Sequence, residues 1–570
     1  MGTQMRSLLL GVLIAACAAL PVQAQVTETI AHHHMVAAAN PHAAEAGLEM
    51  LRAGGSAVDA AIATQMVLGL VEPESSGVGG GAFMLVFNGK TRKTTSFDGR
   101  EMAPASATPN MFLGPDGKPR GHFDAIPGGL SVGIPGVVRM LALAHDKYGK
   151  LPWARLFEPA IKLAQDGFAV GPKLARTIRT FTPGAKMPDI RSHFYHPDGT
   201  PLAEGEIYKN PEYAAVLKKI ADEGPDGFYK GEIAQAIINA VQHAPGQQGG
   251  MTLDDLANYR AQERAPVCGD YRQYHLCSMG PPSSGGIAVL EILGELQRFP
   301  SSELKPGSVS NAHLFAEASR LAYADRAKYL GDPAFVHVPE AGLIDKGYIA
   351  SRAALIDPSK DMGTADAGNP PDEKHAQDAP QISPVLHGTS HMTIVDDAGD
   401  VVAMTTSVEY VFGAEIMADG FILNNTLTDF SFQPVRDGLP VANAPAPGKL
   451  PLSAMSPTIV FDKNHRFLMS VGSPGGPAII DYVAQTLSAV LDGKMSLKDA
   501  IAMPRELNMN GNTLLESGPG VDKLAASLTA MGHTVQVPDQ EGSGLHGIER
   551  VRNGYIGAAD PRRDGIALGD

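Results

Sequence analysis

From residue 35 onward, apolar positions alternate between helical spacing and strand spacing. Asn40-Pro41 opens the stretch His42 to Arg52, and Gly54-Gly55 follows it. A proline near the start and glycines past the end predict a helix there. Ser56 can cap the next helix, whose Val58, Ala61, Ile62, Met66 and Leu70 recur at helical spacing. Met392 to Val395, Val401 to Thr405 and Phe421 to Leu423 read as strands, continued by Ile459 to Phe461 and Leu468 to Val471. Pro477 to Leu491 is then expected to be a helix behind a glycine turn. Strands with helices on both sides suit a layered α/β/β/α sandwich, though the pattern alone does not choose it over other α/β layouts. The pattern is interrupted over roughly Asp361 to Pro384, which is rich in Pro, Gly, Asp and Ala and reads as an exposed linker.

The first 24 residues follow a different rule. Arg6 precedes an apolar run from Leu8 to Ala19, and Val22-Gln23-Ala24 supplies a small-residue exit. Residues 1–24 are expected to be a secretory signal peptide, too short for a spanning helix, with the mature chain starting near Gln25 in a periplasmic or secreted protein. Ile14-Ala15-Ala16-Cys17 also fits a lipoprotein box, which would leave Cys17 lipidated. Beyond this leader, no apolar run is long enough to span a bilayer.

The length of 570 residues and hydrophobic content of 44% allow a large core. Only the linker before residue 389 separates composition blocks, so one body built from two segments is expected. A formal charge of −15 argues against nucleic-acid binding. Cys268 and Cys277 are the cysteines outside the leader. If Arg272-Gln273 forms a two-residue hairpin turn, Cys268 pairs with Cys277 at a Cα separation of about 4.5 Å, which a disulfide tolerates. An oxidising compartment favours that bond.

Candidate chemistry concentrates where the linker ends, at Gly388-Thr389-Ser390-His391. A threonine hydroxyl is a weak nucleophile unless a base adjoins it, and one solution uses the threonine's own α-amino group once that residue becomes an N-terminus. Glycine at 388 leaves the preceding carbonyl unshielded by a Cβ, so the Thr389 hydroxyl is placed to cut the Gly388–Thr389 bond itself. By itself, Gly-Thr-Ser is a common tripeptide, equally suited to opening a strand.

Further segments give the tripeptide its meaning. Before it stand Gly54 to Ala61, Gly77 to Phe83, Phe97-Asp98-Gly99-Arg100-Glu101-Met102-Ala103-Pro104 and Pro281 to Gly286. After it come Leu423-Asn424-Asn425 with Asp429-Phe430-Ser431, Pro451 to Thr458, Gly472-Ser473-Pro474-Gly475-Gly476 and Ala559-Asp560-Pro561-Arg562. In this order, over about residues 35 to 565, the chain resembles the γ-glutamyltransferase (glutathione hydrolase) family.

That resemblance implies the N-terminal-nucleophile hydrolase fold, an αββα sandwich built jointly by two subunits from one precursor. The large subunit would run over residues 25–388 and the small one over 389–570, remaining together as a heterodimer. Thr389 would be nucleophile and, through its freed amine, base. Ser407 falls where the family has a threonine that contacts the nucleophile. The amides of Gly475 and Gly476 would form an oxyanion hole. Arg100 matches the arginine that grips the substrate α-carboxylate, a task suited to guanidinium. Ser453 matches the first of two assisting serines, while Ala454 replaces the second. Asp429 matches the carboxylate that holds the α-ammonium. Glu409 stands where many members have asparagine, and Thr426 where they have glutamine. His391 shares a strand face with Thr389 but is expected to be structural. Phe432 to Lys449 reads as a shortened lid region.

The expected activity is transfer of a γ-glutamyl group, from glutathione or a related amide, to water or to an amine or peptide acceptor. Glu409 adds a potential anion beside Asp429, which favours an acyl group carrying an α-ammonium. A glutaryl or cephalosporin acylase, or an enzyme acting on poly-γ-glutamate, is the alternative that the changes at 409, 426 and 454 keep open. An unprocessed periplasmic binding protein is a second alternative. No cofactor is expected. Nor is a metal, because three consecutive histidines, His32-His33-His34, cannot all face one ion and no matching Cys, His or Asp cluster is evident in the sequence.

Overall fold

The structure, a computed structural model, describes residues 28–372, 379–381, 388–538 and 542–570. The leader with its cleavage site and Cys17 lies outside the described residues, as do parts of the linker ahead of Gly388.

Two seven-stranded antiparallel sheets stack face to face. The first runs, in spatial order, Ile566–Gly569, Met35–Ala38, Ser390–Val395, Val401–Ser407, Gly81–Asn88, Lys93–Gly99 and Gln262–Arg264. The second runs Glu28–Ala31, Gly554–Ala559, His546–Val551, Phe467–Gly472, Thr458–Phe461, Tyr274–Ser278 and Val267–Tyr271. Both halves of the chain, before and after Thr389, supply strands to each sheet.

Alternation along the central strands assigns their faces. Met392, Ile394, Val402 and Met404 pack with the helices Pro41–Arg52 and Ala57–Val71 in one core. Val395, Val401 and Ala403 pack in the other core with Val460, Met469 and Val471 of the second sheet. Thr393 donates to Ser470 across the sheets at 2.6 Å. Helices Gly285–Leu296, Val309–Tyr329 and Ile479–Leu491 cover the far side of the second sheet. The layers are therefore αββα. Burial on both faces explains why the central strands are apolar at nearly every position.

Local signals operate as their chemistry dictates. The Asn40 side chain accepts from His42 N at 3.0 Å, with Pro41 in the first turn. Ser56 and Asp59 form a reciprocal capping box, at 3.1 and 2.8 Å. Arg272 takes a left-handed φ of 56° in the hairpin turn, which pairs Cys268 with Cys277 at a Cα separation of 4.1 Å, their sulfurs bonded. The helix expected from Pro477 starts instead at Ile479, because Gly475 and Gly476, at φ 135° and 57°, lead into a 3₁₀ turn over Gly476–Ala478. Among the described residues, no helix is long and apolar enough to cross a membrane.

Candidate active site

Thr389 is the residue before the strand Ser390–Val395, buried beneath the loop that follows the neighbouring strand Val401–Ser407. Its Oγ1 donates to the carbonyl oxygen of Gly388 at 2.5 Å. Ser407 Oγ lies 2.9 Å from Thr389 Oγ1 and donates to the same Gly388 oxygen at 2.8 Å. Ser407 Oγ also accepts from Glu409 N at 2.8 Å. One carbonyl thus faces two hydroxyls. A Cβ on Gly388 would lie 2.6 Å from Glu409 O and 2.7 Å from Tyr410 C, so only glycine fits against this backbone. From the other side, Arg563 Nη1 donates to Thr389 O at 3.0 Å.

The nucleophile candidate lies in the wall of a cleft of about 40 Å³, space for a few waters rather than the roughly 300–1,000 Å³ of ordinary ligand clefts. Arg100, Glu409, Asp429, Ser453, Ala454 and Gly476 share that wall with Thr389 and Ser407. Two candidates stand back from it. Thr426 is buried and its hydroxyl donates to Glu101 Oε1 at 2.7 Å, away from Glu409. Gly475 lies just behind Gly476, with Tyr482 so close that an added Cβ would sit 2.5 Å from its ring.

Arg100 is the centre of the cleft's polar network. Its Nη2 binds Asp429 closely and donates to Leu452 O at 3.1 Å, its Nε donates to Pro451 O at 3.1 Å, and its Nη1 reaches Glu101 at 3.4 Å. Below it, Asp98 accepts from Arg100 N at 2.8 Å and from Arg264 Nε at 2.7 Å. Glu409, held at a left-handed φ of 81°, accepts from Asn425 Nδ2. Burial pushes the Glu409 carboxyl well up, and the Asp429 charge adds to that rise. Burial likewise raises Glu101, against the opposing charge of Arg100. Such crowding of carboxyls around one guanidinium is a frequent mark of a functional site.

Three groups here escaped the sequence reading. Arg326, on the helix Val309–Tyr329, contributes to the cleft wall. Its only sequence signal is a charge inside a stretch whose apolar positions leave no free face. Glu101 stands inside the segment Phe97 to Pro104 and Arg563 follows Arg562, but nothing in their spacing assigns either a contact.

His391 is fully buried, with Nδ1 2.9 Å from Thr405 Oγ1, and burial pushes its pKa well down. Its ring packs against Gly472 of the second sheet. The segment Phe432 to Lys449 carries a short hairpin, Val435–Arg436 with Leu439–Pro440, and Phe432 stacks on Phe112 at 4.3 Å. The fold also assembles a cluster that sequence spacing did not reveal. His313, Glu317 and His533 place ligand-type atoms within 4.8 Å of one another. His313 Nδ1 and His533 Nε2 lie 2.8 Å apart, His313 Nε2 is 2.7 Å from Asp357 O, and His533 Nδ1 is 2.9 Å from Thr513 Oγ1. Each imidazole nitrogen of the pair therefore already has a hydrogen-bonding neighbour.

Residues 43–570 match the family model for gamma-glutamyltranspeptidase. The chain is 39% identical to the glutathione hydrolase proenzyme of Bacillus subtilis strain 168, over 94% of this chain and 91% of that one. With the glutathione hydrolase proenzyme of Escherichia coli strain K12 it shares 38% identity, over 96% and 94%. Its structure is similar to the crystal structure of cephalosporin acylase from Bacillus halodurans, with a TM-score of 0.83 and 27% identity over 98% and 99% of the two chains.

Proposed function

The chain belongs to the gamma-glutamyltranspeptidase family, with the αββα sandwich of N-terminal-nucleophile hydrolases, and from that premise we propose a glutathione hydrolase and γ-glutamyltransferase activated by cutting itself. The observation that supports this reading most is the Gly388 carbonyl held between the hydroxyls of Thr389 and Ser407.

In self-cleavage, Thr389 Oγ attacks the Gly388 carbonyl carbon while Ser407 steadies the oxygen. The acyl group moves from nitrogen to oxygen, and water hydrolyses the resulting ester. The products are a large subunit of residues 25–388 and a small one of 389–570, held together as a heterodimer by the shared sheets. A leader of residues 1–24 would export the precursor to the periplasm or beyond. With the peptide intact the cleft holds only about 40 Å³, so donor entry follows cleavage.

In turnover, the freed α-amino group of Thr389 takes the hydroxyl proton as Oγ attacks the γ-amide carbonyl. The amides of Gly475 and Gly476 would hold the oxyanion. The amine leaves with a proton, and water or an acceptor amine resolves the γ-glutamyl ester. Arg100 and Ser453 would face the donor α-carboxylate, and Asp429 with Glu409 its α-ammonium. Thr426 would act behind them through Glu101, and Ala454 leaves the carboxylate side one hydroxyl short.

The likeness to a cephalosporin acylase favours a second reading in which the acyl group lacks an α-amino group. Glu409 beside Asp429 weighs against it, because two acids serve a cation and penalise a neutral group. Release of a chromogenic amine from a γ-glutamyl anilide and from the matching glutaryl anilide separates them. Preference for γ-glutamyl by tenfold or more, about 1.4 kcal/mol of transition-state discrimination, supports the first reading. Equal rates or a glutaryl preference refutes its substrate.

A further inference from the structure

The carboxylate side of the cleft is short of donors. A carboxylate accepts up to about four hydrogen bonds, and Arg100 has five N–H groups. Four of those already meet protein acceptors, namely Pro451 O, Leu452 O, Asp429 and Glu101. A bidentate grip through Arg100 would therefore require it to release Asp429 or Glu101. Ala454 has no hydroxyl to add. Ser453 Oγ is occupied as an acceptor from Met455 N at 3.1 Å, which leaves a single O–H.

A second guanidinium lies in the same wall. Arg326 is 5% exposed and its Nε donates to Ser284 Oγ at 2.8 Å. Ser284 Oγ in turn donates to Ser453 O at 2.6 Å, in the loop that carries Ser453 and Ala454. Tyr323, one turn earlier, has its ring 6.0 Å from the Arg326 guanidinium and donates to Pro477 O at 2.5 Å, beside Gly476. Arg326 is thus tied through Ser284 to the loop of Ser453 and lies beside Tyr323, which holds the loop of Gly476; burial lowers its pKa, against the opposing effects of Tyr323 and Asp429.

We propose that Arg326 is a specificity-determining residue whose positive charge reads the α-carboxylate of an amino-acid acyl donor, supplementing Arg100 and Ser453 where Ala454 offers nothing. The inference rests on the γ-glutamyl reading of the cleft. Guanidinium suits the task because it stays charged when buried and presents a planar fork to a carboxylate. The competing role is a brace that merely joins the two loops.

The test uses two donors that differ only at the carboxylate, a γ-glutamyl anilide and its α-carboxamide analogue, with the processed heterodimer. Arg326→Gln is expected to lower the kcat/KM ratio of carboxylate to carboxamide donor at least tenfold, chiefly through KM, and Arg326→Lys to restore part of it. A ratio unchanged in Arg326→Gln, with both donors slowed alike, would make the residue a brace and overturn the proposal. If Arg326→Gln fails to fold, Ser284→Ala, which loosens Nε, is expected to lower the same ratio about threefold, and an unchanged ratio there overturns the proposal equally. A wild-type enzyme inactive on the carboxylate donor would instead sink the γ-glutamyl reading beneath it.

Discussion

Replacing Ser407 by alanine probes the self-cleavage geometry most sharply, because that one hydroxyl serves three partners. It donates to Gly388 O at 2.8 Å, lies 2.9 Å from Thr389 Oγ1 and accepts from Glu409 N at 2.8 Å. Two consequences fall on different measurements. In the folded precursor, Ser407→Ala leaves the Glu409 amide unpaired in a buried site, a cost of about 1–3 kcal/mol to stability. In the transition state for acyl shift, the Gly388 oxygen carries negative charge, and losing one oxyanion donor there costs about 2.7–4 kcal/mol, or roughly 10²–10³ in rate. The first is read by unfolding and the second by the rate of conversion. Freshly folded precursor, followed as the full-length band on a denaturing gel, should convert about 10²–10³ times more slowly in Ser407→Ala. Ser407→Thr keeps the hydroxyl and should stay within about tenfold of wild type. Conversion of Ser407→Ala within threefold of wild type would refute the assignment of this hydroxyl to the carbonyl.

Glu409 should give the cleft a pH signature. Burial and Asp429 raise its carboxyl, so it is neutral at low pH and gains charge as pH rises through its folded value. Preference for the γ-glutamyl over the glutaryl anilide should grow along that rise, and Glu409→Gln should abolish the growth; equal growth in the variant contradicts the role. His546 is pushed down to about 4 by burial from an ordinary value of about 6.5. Between those limits the unfolded chain binds a proton that the folded chain refuses, so stability is lost as pH falls from about 6.5 to 4, by at most about 3 kcal/mol. Urea unfolding of the uncut Thr389→Ala precursor at both ends of that window should show a smaller loss with His546→Gln added, and an identical loss would remove His546 from the account. In the same precursor, Cys268→Ser with Cys277→Ser opens a short loop whose closure is worth roughly 2–3 kcal/mol on the chain-entropy model. An unchanged unfolding midpoint would contradict that contribution.

What the sequence reveals here, it reveals through local chemistry. A Pro- and Gly-rich stretch that gives way to an apolar strand marks the approach to Thr389, and the Ser56–Asp59 capping box and the Arg272-Gln273 turn are readable from a few neighbouring residues. What it hides depends on tertiary approach. Arg326 reaches the cleft from a helix 63 positions before Thr389, as their numbering shows, and its helix is buried nearly all round, so no polar face announces it. Thr426 turns to Glu101 because that buried carboxyl needs a donor, a demand visible only once Glu101 is known to be buried. His313 and His533 stand 220 positions apart, beyond any spacing rule. At Pro477 the two left-handed glycines delay the helix by two residues, a matter of backbone angles that apolar periodicity does not record.

The central claim is that the catalytic hydroxyl belongs to a residue that has become an N-terminus. Amino-terminal sequencing and intact mass of the smaller chain in an active preparation test it directly. The account predicts a chain that begins Thr-Ser-His-Met-Thr and spans residues 389–570, present in proportion to activity. Full activity from an uncut chain, or a smaller chain that begins anywhere other than Thr389, would contradict it.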